Sequence, residues 1–215
     1  MVFAEIRAAC AEVASRARWV HMAGDPAAYA AALDLPALMT PTYDTDHHYR
    51  GDPESTLAYL VTLDAVNFGS GYFPQLLKRP GMSGYFTIAS RLKDHFEAHG
   101  AIAAEELSRL TVAQVAAIFG QPPGNPVRTE LMALFARALN DLGHFLLERY
   151  GGRFAGLVED AGGSAERLVE RLAAMPYFRD VSWYRGKKVP LFKRAQITAS
   201  DLSLAFSGAG YGAFD

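Results

Sequence analysis

The chain has 215 residues, 50% of them apolar and 20% charged, with a formal net charge of −2. That composition suits a globular chain with one good core or two small ones. The charge balance, with a sequence pI of 6.3, counts against a duplex-binding protein, which needs a basic face. It leaves room for a small anionic ligand held by a few cations.

The lone cysteine, Cys10, excludes an internal disulfide and a cysteine-based zinc cluster. Its setting in "RAACAEVA" suggests a small core residue on a helix. No stretch reaches the ~18 apolar residues of a membrane span. Glu5 and Arg7 near the start are unlike a secretory signal, so a cytoplasmic location is expected.

In chain order, residues 1–20 carry apolar positions at helical spacing (Ile6, Cys10, Val13, Ala17) and predict a helix. A second begins at Asp25-Pro26, an N-cap followed by proline in the first turn. Residues 36–54, rich in Pro, Thr and Asp, predict a long loop of the kind that often carries function. Asp52-Pro53 then caps a helix through "ESTLAYLVTLDAVNF". Residues 69–85 are full of turn formers and aromatics, and helix resumes at "FTIASRLKDHFEAHG" with Gly100 as C-cap. "TVAQVAAIFG" predicts a short helix capped by Thr111 or Ser108.

The clearest amphipathic helix is "NPVRTELMALFARALNDLGHFLLERYGG", with Leu131, Leu134, Phe135, Ala138, Leu142, Phe145, Leu146 and Tyr150 on one stripe. Two more helices follow in "RFAGLVEDAGG" and "SAERLVERLAAM". "VSWYRGKKVPLF" predicts a hairpin turning at Gly-Lys, and "LFKRAQITASDLSLAF" a final helix. The expected fold class is all-α, a single helical domain over 1–215. The ending just after a Gly-rich turn leads us to expect a further C-terminal portion.

No Walker loop, HExxH, GxSxG or CxxC is present. His47-His48 lacks partners at metal-ligand spacing, so no metal is expected. Four clusters remain. Asp64, Asn67 and Phe68 end an apolar helix: they either cap it and fill the core, or stack on and read a heterocycle. Ser83-Gly84-Tyr85 is either an ordinary turn or a place where backbone meets a ligand. Arg185, Lys187, Lys188, Lys193 and Arg194 form a cationic concentration near an apolar run. They serve a solvated turn, pair with Asp201, or await a phosphate. The tail "GAGYGAFD" is either a frayed end or a stretch of backbone that approaches a substrate.

"LDAVNF", "SGYFT", "ALNDLGHFLLERYGG", "YFRDV", "GKKVPLFKRAQITASDL" and the closing "FD" resemble, in order from about Arg16 to Asp215, the queuosine salvage protein family. These are queuosine-5′-phosphate N-glycosylases. The resemblance implies an all-helical fold similar to helix-hairpin-helix DNA glycosylases. It implies hydrolysis of queuosine 5′-monophosphate to queuine and ribose 5-phosphate, without metal or organic cofactor. A monomer is expected. Lys187, Lys193 and Arg194 would hold the phosphate. Phe68 and Tyr85 would wall the base, and His48, Asn67 and Ser83 would contact its edge or side arm. Asp201 would orient a lysine or balance its charge, with Asp64 in support. Family members continue past "FD" to a Phe-Ala-Asp segment whose Asp is the expected catalytic carboxylate. Here Asp215 is the best candidate for that role. A catalytically incomplete binder of queuine-like ligands and a nucleic-acid glycosylase are the competing expectations.

Overall fold

The structure, a computed structural model, describes residues 2–21, 24–33 and 42–206. It is mainly helical. The helices are α1 (Val2–Ser15), α2 (Pro26–Ala31), α3 (Pro53–Ala65), α4 (Gly84–His99), α5 (Ala104–Leu107), α6 (Val112–Ile118), α7 (Pro126–Tyr150), α8 (Phe154–Ala161), α9 (Ala165–Leu172) and α10 (Lys193–Phe206). One antiparallel hairpin, β1 (Val181–Tyr184) and β2 (Lys187–Pro190), interrupts them.

α3 is the central post. Leu57, Tyr59, Leu60, Val61 and Leu63 are all buried, as expected of a helix apolar on every side. Asp52 starts it by accepting the Ser55 amide at 3.0 Å, and Pro53 occupies a first-turn position that needs no donor. α4, α7, α8 and α10 pack around it. α7 buries Leu131, Phe135, Leu142 and Leu146 on the predicted stripe and ends at Gly151 in the left-handed region. Gly143 lets α5 cross α7 at close range: a Cβ there would lie 2.3 Å from the Ser108 amide nitrogen.

Several expectations are refined. α5 is a single short turn that periodicity does not reveal. Thr111, not Ser108, caps α6, in a capping box with Gln114. The hairpin turns at Arg185-Gly186 rather than Gly-Lys, with φ +47° and +79°. Positive φ at both central residues suits the twist of a two-residue hairpin loop. Cys10 is exposed and Ala9 takes the buried place, because α1 lies at the periphery and packs mainly on β2 and α9. Among the described residues no helix is long and apolar enough to cross a membrane.

Candidate active site

The last helix is launched under constraint. Phe192, just before α10, has φ +47°, a region that costs a non-glycine residue about 1–2 kcal/mol. Asp180 at the base of the hairpin holds it there. Its carbonyl accepts from Leu191 N at 3.1 Å and Phe192 N at 3.3 Å. Its carboxylate Oδ2 accepts from Lys193 N at 2.9 Å. Asp180 is therefore the anion at the positive end of α10. This geometry brings Lys193 and Arg194 to one wall of a hollow of about 530 Å³. Asn67, Phe68 and Ser70, at the end of α3 and just beyond, form another wall, and Phe73 and Tyr85 a third. The volume lies within the ~300–1,000 Å³ of small-molecule sites. A hollow of about 580 Å³ between α6 and α7 is lined by groups such as Val112, Ala116 and Met132 and has no ionisable side chain among the described residues. Of these two hollows, the first holds the ionisable side chains.

Arg194, Thr198 and Asp201 fall at helical spacing on α10 and turn inward. Thr198 is fully buried and its hydroxyl donates to Arg194 O at 3.0 Å. Arg194 sits with its guanidinium carbon 5.0 Å from the Phe68 ring centroid. Burial pulls its pKa below the ordinary value while the Asp180 charge supports it, and a guanidinium stays charged regardless. Its Nη1 and the Asp180 Oδ1 are buried without a hydrogen-bond partner among the described residues.

Behind Asn67 lies Asp64, 0% exposed. Asn67 Nδ2 donates to its Oδ1 at 3.5 Å, and its Oδ2 has no partner among the described residues. Burial, then the neighbouring Asp201 charge, pushes the Asp64 carboxyl well above the ordinary range. Asp201 is raised too, by burial, with His48 acting against it. Tyr85 is held as a neutral phenol by burial and then by the field of these two acids. Its hydroxyl lies 2.9 Å from His48 Nε2. His48 Nδ1 is 3.0 Å from the Asp44 carbonyl, which can only accept. Nδ1 therefore carries hydrogen, and in the neutral ring Nε2 accepts from Tyr85. Tyr85 thus shows the hollow its ring and an oxygen lone pair.

Asn67, Phe68, Tyr85, Lys193 and Arg194 come together as expected, with His48 one hydrogen bond behind the wall. Three expected residues stand elsewhere. Lys187 on β2 pairs with Glu12 of α1, because the hairpin packs back on that helix. Ser83 caps α4, its Oγ accepting from Phe86 N at 3.1 Å. The following Gly84 makes room for Phe73, whose Cβ a new methyl would meet at 2.6 Å. Asp201 faces Asp64 and His48 rather than a lysine; the acid beside the cations is Asp180. Asp215 lies outside the described residues. Sequence reasoning missed Asp180, Ser70 and Phe73. The one available signal for Asp180 was an acid directly before a predicted hairpin, in "YFRDV".

The family model for the queuosine salvage protein matches residues 47–215, a span holding every residue of the hollow. The chain belongs to the queuosine salvage protein family. Three relatives each carry the name queuosine 5′-phosphate N-glycosylase/hydrolase. The protein of Sphaerobacter thermophilus is 38% identical over 180 residues, 81% of this chain and 54% of the relative. That of Mus musculus is 29% identical over 174 residues, 77% of this chain and 51% of the relative. That of Bos taurus is 38% identical over 79 residues, 36% of this chain and 23% of the relative. The chain spans about half the length of the first two. In this queuosine salvage chain the matched span runs from the His48 loop through the hairpin and α10, the segments that build the hollow.

Proposed function

We propose that this chain carries the nucleotide-binding part of an N-glycosylase that hydrolyses queuosine 5′-phosphate to queuine and ribose 5-phosphate. One observation carries the reading: a planar ring, an amide edge and two cations line a single hollow in a chain of this family. In this reading Lys193 and Arg194 hold the 5′-phosphate. Phe68 and Tyr85 wall the flat base, and Asn67 addresses its edge with the Asp64–Asp201 pair behind it. His48 orients Tyr85. The glycosidic carbon passes through an oxocarbenium-like state as its bond to the base nitrogen breaks and the oxygen of a water molecule bonds to it. The departing base keeps the electron pair and gains a proton. A carboxylate beside that carbon stabilises the cation or activates the water, and Asp215 is the residue we assign to it. No metal or organic cofactor enters this scheme. An arrangement like that of helix-hairpin-helix glycosylases and a cytoplasmic monomer complete the reading.

The test is incubation with queuosine 5′-monophosphate and chromatography for free queuine. Release by the native chain, and its loss in Asp215→Asn, is the expected result. The competing reading is a binder without turnover. Saturable binding with no base released would select it.

A further inference from the structure

We propose that Asp180 limits this hollow to a single phosphate, so that it takes a nucleoside monophosphate and disfavours the di- and triphosphate. The inference rests on the phosphate-holding role assigned above to Lys193 and Arg194. Among the described residues three charged side chains line the hollow: those two cations and the Asp180 carboxylate.

Asp180 is not free to swing away. Its backbone carbonyl takes the Leu191 and Phe192 amides, and its Oδ2 takes the Lys193 amide at 2.9 Å. The same bonds hold Phe192 at φ +47°. The carboxylate therefore already occupies the positive end of α10, where an anion would otherwise bind. A phosphate must settle on the side chains of Lys193 and Arg194, beside a fixed negative wall.

The first phosphoryl group meets both cations. A second one adds charge that no further cation among the described residues of the hollow answers, in sight of the carboxylate. One unit charge facing another about 6 Å away, at an effective dielectric between protein and water, changes an equilibrium by about tenfold. Asp180 thus acts on specificity, by removing one positive charge from the site.

The probes are inorganic phosphate and pyrophosphate, titrated calorimetrically into the full chain and into Asp180→Asn. Asparagine keeps the cap and the shape while removing the charge. The expected result is that the pyrophosphate-to-phosphate affinity ratio rises about tenfold in the variant. Asp180→Ser, a smaller neutral cap, gives the same shift and serves if the first variant folds poorly. Lys193→Met weakens both probes and so locates them in this hollow. A ratio unchanged within about twofold, even with a lower melting temperature, overturns the proposal and leaves Asp180 a cap only. Absence of binding by either probe overturns it together with the phosphate site. The wider functional reading fails separately: the ratio shifts as expected, yet queuosine 5′-monophosphate neither binds nor releases base.

Discussion

Arg194 covers one face of Phe68, with its guanidinium carbon 5.0 Å from the ring centroid. Phe135 meets the ring edge-on at 5.2 Å and Tyr177 lies tilted at 5.7 Å. Phe68 is thus both a post for the cation and a wall of the hollow. Replacing it with leucine keeps apolar volume but removes the π face that holds Arg194. We expect Phe68→Leu to lower stability by about 1 kcal/mol and to weaken binding of queuosine 5′-monophosphate about tenfold. Chemical denaturation and calorimetry measure the two. Lost stability with unchanged affinity would make the ring a core group only.

The two lysines once grouped together should now behave differently. Lys193 lines the hollow, while Lys187 is paired with Glu12 on the far side of the hairpin. Lys193→Met should weaken monophosphate binding about 10–100-fold, the scale of a hydrogen bond to a charged group. Its stability should stay within about 0.5 kcal/mol of native, as for most exposed substitutions. Lys187→Met should leave binding unchanged and alter stability by at most about 1 kcal/mol, since exposed ion pairs contribute little. Equal binding losses in both variants would contradict the geometry.

Gly84 joins fold to site. A methyl group there would lie 2.6 Å from three atoms of Phe73, a residue of the hollow wall. Gly84→Ala should cost about 1–3 kcal/mol through overpacking and displace that wall. Thermal melting and ligand titration should therefore change together. A variant with native melting temperature would show that Phe73 moves aside freely.

Much of this was legible in the sequence. Asp52-Pro53 marks the start of α3, and the period of α7 marks its buried stripe, because capping and amphipathicity are local properties. Arg194, Thr198 and Asp201 fall at helical spacing in the sequence, behind the apolar run 189–192. What could not be read was pairing across the chain. Asp180 reaches Lys193 across the 13 positions that hold the hairpin, and Lys187 reaches Glu12 across the molecule. Nor does sequence reveal a positive φ at a phenylalanine, since local propensity argues against it. Ser83-Gly84 carried the signature of a ligand-contacting turn. Its serine serves as a helix cap and its glycine makes room for Phe73, and either role leaves the same dipeptide.

The buried acids make the sharpest pH prediction. Burial raises both Asp64 and Asp201, and the Asp201 charge adds to the rise at Asp64, so the folded chain binds protons that the unfolded chain has already released near neutrality. A raised folded-state pKa gives stability that is complete below the ordinary carboxylate value of about 4. It is lost as pH climbs through the raised values. Native stability should therefore fall as pH climbs above the ordinary carboxylate value of about 4, more steeply than the exposed carboxylates allow. Asp64→Asn keeps the shape, cannot ionise, and offers Asp201 an amide donor in place of a like charge. The variant should gain on the native chain as pH rises, by about 1 kcal/mol for each unit of pKa displacement removed. Urea denaturation of both proteins across that range gives the difference directly, and contributions common to both cancel. Parallel curves would mean that the two acids do not share a field. The accompanying affinity measurement separates structure from recognition. If Asp64 stands behind Asn67 at the base-reading edge, the variant should bind queuosine 5′-monophosphate more weakly even at the pH where it is the more stable protein.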